Sequence, residues 1–251
     1  MAASIFEGWD AAEGVPSALA AARDAADLLL RDRGLRRTGP ELTAQSLLRG
    51  AAASATLEGW PTEVAALAEG DATPGALAAA RVNAELLALV PVVTRAPLQA
   101  VARLHTLAAA GDTPPDALGR PRDAAAADAL RRWAAGLGEA SSVPGMAVAA
   151  LSHAELTRVA PFPSRNGLVA RAVERMLLVA RGVDPTSLLV PEAAHLAAGD
   201  DYRAALEAYA AAPAGRGVWL AYAARAFTDA VAHSPAAPGG AASGTGARQR
   251  S

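Results

Sequence analysis

The sequence predicts an all-α protein, and three observations lead there. Alanine dominates the 251-residue chain while aromatic residues make up 4% of it, which favours helices in close contact over a sheet. Runs of Val, Ile, Thr and Tyr with strand alternation are nearly absent. Gly and Pro fall between segments rich in Ala, Leu, Arg and Glu, so the punctuation separates helices.

Residues 1–16 are expected to be a weakly ordered lead-in, 17–233 one helical domain and 234–251 a disordered tail. The tail assignment follows from a Pro/Gly/Ala/Ser composition with almost no large apolar residue. Ser17 is expected to cap a first helix that runs to Arg33 and stops at Gly34. A second spans Glu41 to Leu57, closed by Gly59 and Pro61. A third starts at Pro74 behind Thr73 and ends at Val90, before Pro91. A fourth covers Pro97 to Ala110, with Leu98, Val101, Leu104, His105 and Ala108 at helical spacing.

Gly111 to Arg122 holds three prolines and must be a loop. Asp123 then caps a helix through Trp133 to Leu137, and another runs from Gly145 to Val159. The segment Gly167–Arg181 is strongly apolar and closes at Gly182. The last two helices are expected at Pro191–Ala211 and Arg216–His233, and no internal repeat is present.

Several function classes are disfavoured. A net charge of −2 without a basic cluster argues against nucleic acid as a partner. No uninterrupted apolar run approaches the ~20 residues of a membrane span, and the N-terminus has no basic start followed by an apolar run, so a cytoplasmic location is expected. Cysteine and lysine are both absent, which removes thiolate chemistry, cysteine-bound zinc, a P-loop lysine and a Schiff base. No nucleophile elbow, dinucleotide fingerprint or HExxH is found. His105, His195 and His233 stand isolated, so no metal site is expected. Arg131, Arg132 and Arg175 are read as solvent-facing or ion-pairing side chains, and His153 as structural.

The most informative segment is Ala160-Pro161-Phe162-Pro163-Ser164-Arg165-Asn166-Gly167-Leu168-Val169-Ala170-Arg171. It resembles the Fic (Fido) signature, H-P-F-x-[D/E]-G-N-G-R-x-x-R, of a family of AMP-transferring proteins. Pro161, Phe162, Asn166, Gly167 and Arg171 match it. The family's general-base histidine falls on Ala160, its metal-holding acid on Ser164, a loop glycine on Arg165 and its first phosphate-binding arginine on Leu168. Leu151–Val159 is similar to the helix that enters the Fic loop, and Arg103–Leu107 with Gly119-Arg120 to the earlier helix and flap. Upstream, Ser54-Ala55-Thr56-Leu57-Glu58-Gly59 fits the inhibitory pattern [S/T]-x-x-x-E-[G/N] of family members whose inhibitory helix precedes the core.

The resemblance implies a Fic-like helical bundle, ATP with magnesium as nucleotide and cofactor, and homodimers as an assembly. Asn166, Gly167 and Arg171 would contact phosphate, and Glu58 would pair with Arg171 and keep the terminal phosphate out. The replacements speak against turnover. Alanine cannot act as a base, a role that typically contributes ~10²–10⁴-fold. Serine offers magnesium only a neutral oxygen, and Leu168 leaves a phosphate charge uncompensated. If the position of Arg165 needs a positive φ, the loop must have moved. The expectation is a protein without catalytic residues that binds a nucleotide-like ligand or a protein partner. The alternatives are a weak nucleotidyl or phosphoryl-group transferase restrained by Glu58, and a helical interaction module without a ligand.

Overall fold

The computed structural model describes residues 4–31 and 40–237. Arg33 and Gly34, the expected end of the first helix, and residues 238–251 of the expected tail lie outside the described residues. Eleven α-helices account for the described architecture: α1 (Val15–Leu30), α2 (Pro40–Leu57), α3 (Val64–Glu69), α4 (Pro74–Arg95), α5 (Pro97–Ala109), α6 (Ala124–Glu139), α7 (Gly145–Val159), α8 (Asn166–Ala180), α9 (Pro191–Ala198), α10 (Asp200–Ala211) and α11 (Gly215–Ala232).

The antiparallel pair α7–α8 forms the centre. α7 is buried without interruption from Met146 to Leu156, and α8 from Leu168 to Leu178. Both helices are enclosed by their neighbours, which their alanines let come close, and the polar side chains they carry, such as His153 and Arg175, are buried with them. α4 and α5 cover one flank of the pair, α10 and α11 the other, with α2 and α9 closing the end beyond. α4 is a described helix long and apolar enough to cross a bilayer, yet Ala79, Val82, Leu86 and Val93 on its inner face pack into this core.

Several boundaries differ from expectation. The lead-in is ordered where described: Phe6 is buried, Trp9 packs on the core, and α1 begins at Val15. Gly14, in the left-handed region, precedes it, and the Ser17 hydroxyl donates to the Gly14 carbonyl instead of capping. Pro91 lies inside α4 rather than beyond its end. It faces solvent there, so the interruption leaves no buried carbonyl stranded. Gly199, at φ 55° and ψ −112°, breaks the expected Pro191–Ala211 helix into α9 and α10. The short α3 escaped the sequence reading because a single turn has too little periodicity to register. Ser234 to Ala237 form turns with Ser234 buried, so the chain stays packed beyond residue 233.

Candidate functional site

The loop between α7 and α8 is braced from every side. α7 ends at Ala160, which is left-handed (φ 43°), and α8 is preceded by Arg165, also left-handed (φ 59°). An arginine thus holds a backbone conformation that glycine adopts most easily. A non-glycine residue in this region costs on the order of 1 kcal/mol, so compensation is needed. It comes from outside the loop. The Arg165 guanidinium sits 3.9 Å over the Trp60 ring and ion-pairs with Asp112. Such a stacked cation contributes roughly 0.5–1 kcal/mol or more.

Asn166 does not act as a helix cap. Its Oδ1 accepts from the Phe162 N–H and its Nδ2 donates to the Phe162 carbonyl, both at 2.9 Å. Through these two bonds the amide closes the loop. Phe162 is buried and stacks on His105 with centroids 4.3 Å apart. His105 Nδ1 in turn accepts from the Gly119 N–H at 2.9 Å, which ties the flap to the loop. Arg122 donates to the carbonyls of Ala160 at 2.9 Å and Val159 at 3.3 Å, satisfying the open end of α7. The Ser164 hydroxyl pairs with Thr113 at 3.1 Å.

The upstream segment meets this loop. The Gly59 N–H bonds the Thr56 carbonyl at 3.0 Å and the Trp60 N–H the Ala55 carbonyl at 2.9 Å, a Schellman ending with Gly59 at φ 88°. This turn aims Glu58 at α8. Arg171 Nη2 donates to Glu58 Oε1 at 2.8 Å, and its Nε donates to Ser54 Oγ at 2.8 Å. Glu58 Oε1 also lies against Gly167, where any Cβ would collide with it and sit 3.1 Å from Arg171 Nη1. The carboxylate thus rests on the first turn of α8, where the helix dipole and free N–H groups favour an anion.

A second arginine one turn along α8 does similar work deeper in the core. Arg175 is buried, not solvent-facing, and ion-pairs with Glu192 at 3.2 Å. It also donates to Ser187 Oγ at 2.9 Å, the Ser187 carbonyl at 3.0 Å and the Ser46 carbonyl at 3.3 Å. Arg171 and Arg175 together fasten α2 to α8.

Two histidines that are far apart in the chain also meet. His153 Nδ1 lies 3.1 Å from Glu174 Oε1, and His195 Nε2 lies 2.8 Å from Glu174 Oε2. His153 Nε2 contacts the Tyr202 hydroxyl at 2.9 Å and His195 Nδ1 the Tyr222 hydroxyl at 2.8 Å. Burial alone would raise the Glu174 pKa, but the two imidazoles outweigh it and bring it down to about 2. Burial pushes His153 below its ordinary value. Trp60, Asp112, Arg122 and Glu174 carried no sequence signal, because each acts through a partner more than 20 residues away.

Magnesium does not fit the loop. Ser164 is a neutral oxygen engaged by Thr113, Leu168 is a buried apolar side chain, and the nearby Asp112 carboxylate is held by Arg165.

The sequence matches no protein-family model and no curated protein at a significant level. The fold does match solved structures. A Fic family protein from Desulfovibrio desulfuricans aligns with a TM-score of 0.75 at 17% identity, over 88% of this chain and 74% of that one. Fic-1 from C. elegans aligns at 0.64 and 16% identity, over 87% and 71%, and a variant of the same protein gives the same values. The fold is therefore the all-α Fic/Fido fold.

Proposed function

We propose that this chain is a Fic-fold protein that acts by binding, to a nucleotide-like ligand or a protein partner, and does not transfer AMP. The observation that supports this most is the Glu58 carboxylate seated on α8 and paired with Arg171 at 2.8 Å. The anion seat already holds an anion, supplied by the chain. Ala160 offers no proton acceptor beside it, and Arg165 with Asp112 and Trp60 covers the loop. A phosphate-bearing ligand has to displace Glu58 first. Ser54, Glu58 and Gly59 are then the inhibitory element, and Gly167 and Arg171 the seat. Asn166, named in the sequence reading, supports the loop.

The intact first turn of α8 keeps one rival in play, a weak transferase restrained by Glu58. One experiment decides both points. ATP and AMP are titrated calorimetrically into the wild type and Glu58→Gly, with and without magnesium, and the variant is incubated with labelled ATP and lysate protein. Binding by Glu58→Gly that is weaker or missing in the wild type, without label transfer, is the expected result. Label on any acceptor overturns the non-catalytic reading, and no heat from either protein at millimolar nucleotide removes the nucleotide ligand.

A further inference from the structure

Glu174 is a fully buried carboxylate in the middle of the bundle, and none of the described arginines ion-pairs with it. Arg171 is taken by Ser54 and Glu58, and Arg175 by Glu192. A buried charge is ordinarily matched by a cation or a metal ion. Its two neighbours, His153 and His195, are also fully buried.

The geometry around Glu174 differs on its two sides. His195 Nε2 forms an ordinary hydrogen bond with Oε2 at 2.8 Å. His153 Nδ1 and Glu174 Oε1 are 3.1 Å apart yet misaligned, so both atoms lack a hydrogen-bond partner. Two buried polar atoms this close, each with unused bonding capacity, can be served by one shared cation. The outer nitrogens of both rings are already engaged, by Tyr202 at 2.9 Å and Tyr222 at 2.8 Å. That leaves His153 Nδ1 and His195 Nε2 turned inward, the arrangement that orients metal-bound imidazoles.

We propose that His153, Glu174 and His195 bind one divalent transition-metal ion of the zinc class, with Glu174 supplying both carboxylate oxygens. Zinc bonds of ~2.0–2.2 Å at angles near 90–110° place adjacent donor atoms about 2.9–3.5 Å apart. The observed 3.1 Å falls within that spacing and the 2.8 Å lies just below it. One donor atom from each residue lies within 4.8 Å of the others. At those angles two donors on one zinc are about 3.5 Å apart at most, so the widest pair draws in by up to about 1.3 Å as the ion binds. Zinc suits imidazole and carboxylate donors, and no thiolate is needed. The site is closed by protein on all sides, so the ion is structural: it ties α7, α8 and α9 together and is taken up during folding. This inference is independent of the nucleotide seat.

The test uses the full-length chain without a histidine tag, grown with zinc or with cobalt. Elemental analysis is expected to find one metal ion per chain, and the cobalt form to show four-coordinate ligand-field bands. Protein unfolded and refolded with a chelator should melt below protein refolded with zinc. Glu174→Gln, close in shape, should lose the metal. Tyr222→Phe, which leaves all three ligands in place, should weaken zinc binding by roughly 10–100-fold. Should Glu174→Gln fail to fold, the wild-type measurements decide alone. Wild-type protein without stoichiometric metal, melting at one temperature with zinc or with chelator, overturns the proposal and leaves a proton-filled His–Glu–His network.

Discussion

Ala160 and Arg165 bracket the loop in the same left-handed conformation, but only one of them is compensated. Arg165 has Trp60 and Asp112, whereas the Ala160 methyl has no such partner among the described contacts. Ala160→Gly should therefore stabilise the protein by about 1 kcal/mol, because glycine takes this region without strain. For a chain of this length that is a rise in melting temperature of roughly 2–4 °C, measurable by calorimetry. Arg171 predicts the opposite sign. It is buried and bonded to Ser54 and Glu58, so Arg171→Ala leaves their oxygens without a donor. A loss of about 3 kcal/mol is expected in urea titration. Glu58→Gln should lose less, since the amide oxygen still accepts the Arg171 bond. At this scale Glu58 and Arg171 were legible in the sequence through motif resemblance. Asn166 was legible as a motif member, but its paired bonds to Phe162 were not, because a string of letters does not show which way an amide points.

Helices register through periodicity, and breaks register through local chemistry, with different reliability. α7 was read from Gly145 to Val159 as found, since the segment has no Pro or Gly after its first residue and its Ala, Leu, Met and Glu favour helix. Pro91 and Gly199 misled in opposite directions. Proline forbids one hydrogen bond, which an exposed helix face tolerates, whereas Gly199 adopts a conformation other residues resist. Gly199→Ala should cost on the order of 1–3 kcal/mol by thermal melting, and a gain would show that the α9–α10 break is incidental. The flap predicts a pH effect. Burial lowers the His105 pKa below its ordinary value, and Nδ1 has to stay unprotonated to accept from Gly119. The unfolded chain then binds more protons below pH ~6.5, so stability falls as pH drops from there toward the folded pKa. Replacing His105 by Asn should reduce the slope of urea stability between pH ~7 and ~5, leaving the part that buried His153 contributes with the same sign.

In the whole molecule, α7 and α8 are enclosed by the other helices, with their side chains buried almost continuously. Their amides should be the last to exchange with solvent, at the free energy of global unfolding, while α1 and α3 at the periphery exchange sooner. Exchange of α2 should accelerate in Arg171→Ala, because Arg171 is one of the two guanidiniums holding it.

Composition, spacing and one altered motif were enough to establish an all-helical Fic fold and the absence of a base at position 160, since those depend on short-range chemistry within a segment. Which atoms face one another was decided only by the packing of distant helices. The Arg165–Trp60 stack and the His153–Glu174–His195 cluster join residues whose neighbours in sequence give no sign of the meeting. Long-range contacts depend on the three-dimensional path of the chain, and that path exists only once the core has closed.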